Sequence, residues 1–241
     1  MGLDAASYAA LWQLYDATGV RPEWLLPVLW SESGLDPSIS NLAGYPYYGI
    51  NQISGSWLAQ HGIAVGDYLT WPASEQISTV VTPYVAAQIS QFGALQSGAR
   101  VYLANFYPAA LPSARSLGSH VVCRPAGGCG SPPFSNAYCA NQGLDADGSG
   151  CITVQDLAVF VSRAASKPAV KAAIAQCYAV RPWEVQSDPA LGYDFGPKPE
   201  SLQAPQSASL QVFELVVMAS AAAALVVNWP RVRSTLRRVA A

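Results

Sequence analysis

Trp30-Ser31-Glu32-Ser33-Gly34-Leu35-Asp36-Pro37, followed by Tyr48-Gly49-Ile50-Asn51-Gln52-Ile53, is the part of this chain whose reading decides the rest. It sets one carboxylate, Glu32, at the end of an apolar, aromatic helix. Gly34 stops that helix, Asp36-Pro37 turns the chain, and a short Gly-Ile-x-Gln-Ile segment follows. Burial disfavours a charged carboxylate, so a glutamate that leaves water at such a place keeps its proton toward neutral pH.

Working outward, Ala5 to Thr18 has the spacing of a helix, with apolar residues at Tyr8, Leu11, Trp12 and Tyr15. Pro22 opens a second helix that runs through Leu25, Leu26, Val28, Leu29 and Trp30, with Pro27 in its early turns. Further helices are expected over Ile53–His61, Ala73–Phe92 and Ser97–Tyr107, with Ser97 as an N-cap. No convincing strand alternation occurs before Gly118. The fold class expected is mainly α, in five parts: a compact helical domain over residues 1–118, a Cys-containing region over 119–187, a linker over 188–209, an apolar segment over 210–229 and a basic tail over 230–241.

Asp145-Ala146-Asp147-Gly148-Ser149-Gly150-Cys151-Ile152-Thr153-Val154-Gln155-Asp156 has the twelve-residue pattern of an EF-hand loop. Oxygen ligands fall at Asp145, Asp147 and Ser149, and Gly150 gives the sharp turn. Cys151 would ligate through its backbone carbonyl, Thr153 directly or through water, and Asp156 closes the loop. Aspartate in place of glutamate at the last position reaches less well, so the calcium expected here is structural and of modest affinity. A helix is expected after the loop, and another over Lys167–Val180.

The chain has 241 residues, of which 51% are hydrophobic, so it can bury a core. Its net charge is -2, but the four arginines after Glu214 leave nine of the 13 basic residues against all 15 acidic ones in the rest. An acidic body argues against nucleic acid as a partner. Met1-Gly2-Leu3-Asp4 lacks the basic start of a secretory signal. Four of the five cysteines fall between Cys123 and Cys151, without zinc-ligand spacing. Two disulfides and an odd thiol are expected: Cys123 with Cys129, and Cys139 with Cys151 or Cys177, in an oxidising compartment. His61 and His120 have no ligand spacing, and Glu23 and Glu75 read as first-turn helix charges.

Leu210–Val227 is an apolar run of spanning length with Glu214 near its start. Trp229 and the arginines that follow place the C-terminus on the cytoplasmic side and the remainder outside. A helix in an oligomeric bundle, or one packed back on the body, fits the same Ala-rich stretch.

The Glu-Ser-Gly-Leu-Asp-Pro run with Gly-Ile-Asn-Gln-Ile resembles the lytic transglycosylase family of soluble and goose-type lysozyme-like enzymes, over about residues 8–115. With the calcium loop included, the chain looks like the phage-type members over about residues 8–165. The resemblance implies a lysozyme-like helical domain that cleaves peptidoglycan glycan strands. Glu32 would be the single catalytic acid and base, and Ser33 would help to orient it. Gly49 would let the sugar approach the backbone, and Gln52 would hydrogen-bond in the groove. Tyr48 belongs with Tyr45, Tyr47, Trp57 and Trp71 as groove walls on which sugar faces stack. The chain departs from the family at Asn51, where methionine is usual, and over Ala104–Ala109, where Tyr107 is the candidate for the tyrosine that faces the glutamate.

Asp36 and Asp67 are the nearby second carboxylates, and Asp36 reads as used up in its Asp-Pro turn. The resemblance therefore implies a single-acid reaction with a 1,6-anhydro product. Hydrolysis with a water on Asp67, as in a muramidase, is the alternative. A catalytically degenerate, glycan-binding structural virion protein is a third reading. Peptidoglycan, a membrane, phage particle proteins and further copies of the chain are the partners these readings imply. The location is a membrane surface, with the head outside, or a virus particle.

Overall fold

Asp4 and Gly19 bracket the first helix, α1 (Ala5–Thr18): Asp4 accepts the Ser7 N–H at 2.8 Å, and Gly19, at φ 72°, returns its N–H to Tyr15. Both ends thereby satisfy groups a helix leaves open. The second helix, α2 (Pro22–Ser33), starts on a proline and ends at Gly34 with φ 67°. Pro27 lies in its second turn, past the positions where a missing N–H is free of cost, and the helix continues through it. Leu11, Leu14, Leu26 and Leu29 are fully buried, each contributing about 1.5–3 kcal/mol of apolar burial.

The computed structural model describes residues 2–41, 46–112, 121–123, 138 and 141–184. The architecture is mainly α. After α2 come a two-residue ribbon, β1 (Tyr47–Tyr48) with β2 (Ile53–Ser54), and the short helices α3 (Gly55–Gln60), α4 (Val65–Tyr68) and α5 (Ala73–Gln76). The ribbon is antiparallel, Tyr47 opposite Ser54 and Tyr48 opposite Ile53. It corrects the expectation of no strand in this region. Two residues of alternation are too few to register as a pattern.

From Ala73 to Phe92 the helix is continuous, as the sequence indicated, but its middle, Ile77–Val81, widens to a π-turn before α6 (Thr82–Phe92). Pro83 explains this locally. It has no N–H for the regular ladder, and the Thr82 hydroxyl reaches back to the Ile77 carbonyl at 2.8 Å. Helix α7 (Gly98–Phe106) follows, capped by Ser97.

The first compact unit takes in the described residues up to Pro108 and those from Ala158 onward; the second takes in those from Ala109 to Leu157. The expected boundary at residue 118 therefore shifts, and most of α8 (Val154–Ala165) and all of α9 (Pro168–Val180) belong to the first unit. The reason is packing. Helix α9 lies on α1 and α2, with the Trp12 indole N–H donating to the Cys177 carbonyl at 2.8 Å and Tyr178 edge-on to Trp12. Arg181 then pairs with Asp16 and covers the Trp12 ring.

Glu23 is a first-turn charge of α2, as expected, and it is buried there. It is 3% exposed, ion-paired with Arg21 at 3.1 Å, and accepts the Tyr178 hydroxyl at 2.7 Å. A buried carboxylate needs such partners. Glu75 is exposed in the first turn of α5, as expected.

In the second unit, β3 (Val121–Cys123) pairs antiparallel with β4 (Ile152–Thr153), with a bulge between Val121 and Cys123. Cys123, Cys151 and Cys177 are free thiols. Cys129 and Cys139, the partners expected for these thiols, lie outside the described residues. Cys177 is fully enclosed by the α1–α2–α9 packing, and Cys123 is fixed in its strand opposite Ile152. Tyr45, His120, Cys129, Cys139, the linker over 188–209, the apolar segment over 210–229 and the basic tail lie outside the described residues. Among the described residues no helix is long and apolar enough to cross a membrane.

Candidate active site and metal loop

Glu32 occupies the last turn of α2, half-buried. Helix α2 packs on α7, and Asn105, in the last turn of α7, hydrogen-bonds the Glu32 carboxyl. Burial pushes that carboxyl up to about 7, and the Asn105 bond acts in the opposite sense by stabilising the ionised form. Two tyrosines share this neighbourhood. Burial raises both Tyr84 and Tyr102, and the Glu32 charge raises them further. The Tyr84 hydroxyl donates to the Ala104 carbonyl at 2.8 Å, which ties α6 to α7 beside the glutamate. Tyr102 packs between Phe106 and Phe160.

Ser33 joins the two halves of the sequence motif. Its hydroxyl points at the Leu29 carbonyl at 2.9 Å and the Ile50 carbonyl at 2.8 Å, one proton serving two acceptors. The end of α2 is thereby tied to the turn at Gly49–Gln52. That turn points inward, and Ile50 is fully buried. Its backbone needs internal partners, and Gln76 supplies them. The Gln76 side chain accepts the Ile50 N–H at 2.9 Å and donates to the carbonyls of Pro37 and Tyr68, each at 2.8 Å.

Gly49 has φ 72°, and a Cβ there would meet the Tyr68 ring at 2.4 Å and the Gln76 amide oxygen at 2.6 Å. The approach of Tyr68 and Gln76, together with the positive φ, requires glycine at this position. Gln52 also holds a positive φ of 51°, and its amide nitrogen donates to the Gly49 carbonyl at 3.0 Å. The expected hydrogen-bonding role of Gln52 is thus directed, on its nitrogen side, to its own loop. Asn51 is buried and accepts the Tyr68 hydroxyl at 3.3 Å.

Of the expected groove walls, Trp57 is core, 6% exposed and stacked on His61. Tyr48 and Trp71 are half-buried and pack against the cluster of Ile53, Trp57, Leu58, Tyr68 and Val80. Tyr47 is half-buried and its hydroxyl is pushed up to about 12 by burial. Tyr107 follows α7, half-buried, its ring 6.4 Å from that of Phe106. Among the nearby carboxylates, Asp36 accepts the Ser38 N–H at 2.9 Å and hydroxyl at 2.7 Å, so it is engaged in the turn, and these bonds hold it below the ordinary carboxylate range. Asp67 is exposed on α4.

Asn105, Tyr84, Tyr102 and Gln76 are the site residues that the sequence reading missed. The one available signal was the isolated asparagine in Ala104-Asn105-Phe106-Tyr107, a polar residue at the end of an apolar helix.

In the second unit, carboxylate oxygens of Asp145, Asp147 and Asp156 lie within 4.8 Å of one another. Gly148 and Gly150 both take positive φ, which wraps the loop around this cluster. Asp145 accepts N–H groups from Ser149 and Gly150, and the Tyr138 hydroxyl at 2.8 Å. The Tyr138 bond is the largest of the influences that hold its carboxyl below the usual range. Asp156 accepts the Ala146 N–H at 3.0 Å and the Thr153 N–H at 2.8 Å, while Thr153 Oγ1 caps the first turn of α8. This is a capping box. Ile152 is fully buried, and its strand partner is Val121–Cys123 rather than a second calcium loop.

Comparison with family models, with curated proteins and with solved structures finds no match for this chain.

Proposed function

We propose that this chain cleaves peptidoglycan glycan strands as a lytic transglycosylase of lysozyme-like fold, with Glu32 as its single acid and base. The observation that carries the reading is a helix-end glutamate whose burial holds its proton to about pH 7, while Asn105 stabilises the ion it becomes. A group so balanced can donate a proton and take one back near neutral pH. Glu32 protonates the bridging oxygen between the sugars. The bond from C1 to that oxygen breaks, the neighbouring sugar leaves as an alcohol carrying the proton, and the substrate's own N-acetyl oxygen stabilises the positive charge at C1. The Glu32 carboxylate then removes the C6 hydroxyl proton, O6 closes on C1, and a 1,6-anhydro end results.

Ser33, Gln52 and Gly49 hold the turn beside the glutamate, and Tyr48 and Tyr107 are carried forward as sugar contacts. The engagement of Asp36 in its turn supports a one-carboxylate route, since two-carboxylate glycosidases need a second acid across the bond.

The loop at 145–156 suits calcium. Asp145, Asp147, Ser149, the Cys151 carbonyl, Thr153 and Asp156 would hold it, and its role would be to fix the loop's shape. The apolar segment at 210–229 would anchor the enzyme at a membrane with the head outside, or serve its packing in a virus particle.

The test is mass spectrometry of peptidoglycan digested by the full-length protein with calcium, wild type against Glu32→Gln. Anhydro muropeptides that vanish with Glu32→Gln support the proposal. Hydrated ends overturn the transglycosylase step in favour of a muramidase, with Asp67 as the next residue to change. Binding without any product overturns the enzyme in favour of a glycan-binding structural protein.

A further inference from the structure

The β3–β4 ribbon brings two thiols from distant parts of the sequence to adjoining positions. Cys123 lies opposite Ile152, and Cys151 is the residue before Ile152. Directly opposed residues in an antiparallel pair have Cα atoms about 4.5–5.5 Å apart, and Cys151, in the bend just before β4, stands one Cα–Cα step of about 3.8 Å from Ile152, taken at right angles to the pairing. The resulting separation, about 6 Å, falls within the span of about 4.4–6.8 Å that a disulfide bridges.

One further feature favours this pair. The bulge between Val121 and Cys123 breaks the alternation, so that Val122 and Cys123 are both buried in succession. A bulge increases local twist and re-aims the side chains beside it.

We propose that Cys123 and Cys151 form an interstrand disulfide that fastens β3 to the seventh position of the metal loop. Cys151, half-buried, is the sulfur that a solution oxidant reaches, whereas Cys123 is 2% exposed. With a small-molecule disulfide such as oxidised glutathione, the Cys151 thiolate attacks one glutathione sulfur and releases one glutathione thiolate. The Cys123 thiolate then attacks the Cys151 sulfur of the mixed disulfide and releases the second. Two protein thiols lose two protons and two electrons, and one glutathione disulfide becomes two thiols. The bridge fixes a loop whose shape the proposed calcium site needs, but it does not depend on that reading.

The experiment is peptide mapping of the full-length protein after incubation with oxidised glutathione, alkylation under denaturing conditions and digestion without reduction. Cleavage after Phe134, Tyr138 and Leu144 separates the segments that carry Cys123, Cys139 and Cys151, and fragmentation distinguishes Cys123 from Cys129. A Cys123–Cys151 linked peptide in most of the protein, lighter by two hydrogens than its halves, is the expected result. Linkage of Cys123 to Cys129 or Cys139, or full alkylation of Cys123, overturns the proposal. In Cys151→Ser, Cys123 should become fully alkylated; if it remains cross-linked there, its partner is another cysteine and the proposal fails.

Discussion

Asn105 hydrogen-bonds the Glu32 carboxyl from the last turn of α7, and among the described residues it is the interaction that opposes the effect of burial on that acid. Replacing Asn105 with leucine keeps the volume and removes the bond. A hydrogen bond to a charged group contributes about 1.5–3 kcal/mol, which corresponds to a carboxyl moved up by one to two pH units. The descending, alkaline limb of peptidoglycan lysis should therefore move upward by about one unit or more in Asn105→Leu. An unmoved limb in a folded variant would show that the bond does not act on the reacting state.

The same burial has a stability consequence. The Glu32 carboxyl ionises near 7 in the folded chain, against 4.5 for an ordinary glutamate. A raised acid is most compatible with folding below about pH 4.5, and its contribution is lost as pH rises through the folded value. The penalty at pH 8 is about 3 kcal/mol. Glu32→Gln stays neutral throughout, so it should unfold at a higher temperature than wild type at pH 8. The difference should shrink toward zero at pH 4.5. Parallel thermal curves at both pH values would contradict the buried, protonated glutamate.

Helices with a chemical start and stop were legible in the sequence. Pro22, Gly34 and Ser97 act where local spacing placed them, and the bounds read for Ala5–Thr18 hold, with Asp4 and Gly19 as the caps the structure adds. The burial of Glu32 was legible too, because its apolar neighbours precede it on the same helix. What surrounds Glu32 was not, since Tyr84, Tyr102 and Asn105 arrive from α6 and α7 by packing. Glu23 shows the same limit. A glutamate in a first turn reads alike whether water or Tyr178 meets it, and Tyr178 is 155 residues away. The spacing that marked Gly49 could not show the approach of Tyr68 and Gln76, which come from later in the chain.

Gln76 offers a test of how the turn supports the site. Leucine in its place leaves the Ile50 N–H and the Pro37 and Tyr68 carbonyls without their present partner. At about 1–3 kcal/mol for each buried group left unpaired, Gln76→Leu should lose at least 3 kcal/mol in urea unfolding. Gln76→Glu, which keeps one acceptor and loses the donors, should fall between it and wild type. Ser33→Ala probes the same tie more gently. It should cost about 1 kcal/mol and lower the turnover of peptidoglycan more than it weakens binding, because Glu32 loses its anchored neighbour.

The metal loop separates two roles that its carboxylates share in sequence. Asp147 is exposed, and it accepts the Ser149 N–H at 2.9 Å. Asp156 is 2% exposed and receives the N–H groups of Ala146 and Thr153, so it closes a capping box as well as the proposed calcium shell. Asp147→Ala should weaken calcium binding, measured by titration calorimetry, by tenfold or more while changing stability in chelator by less than about 0.5 kcal/mol. Asp156→Ala should abolish binding and also cost about 1–3 kcal/mol in chelator, since two part-buried donors lose their acceptor. Calcium at 100 times its dissociation constant should stabilise the wild-type loop by about 2.7 kcal/mol, seen as slowed amide exchange over residues 145–156. Equal behaviour of the two variants in chelator would mean that the capping box does not hold the start of α8. Unchanged exchange on adding calcium would mean that the loop is a turn without a metal.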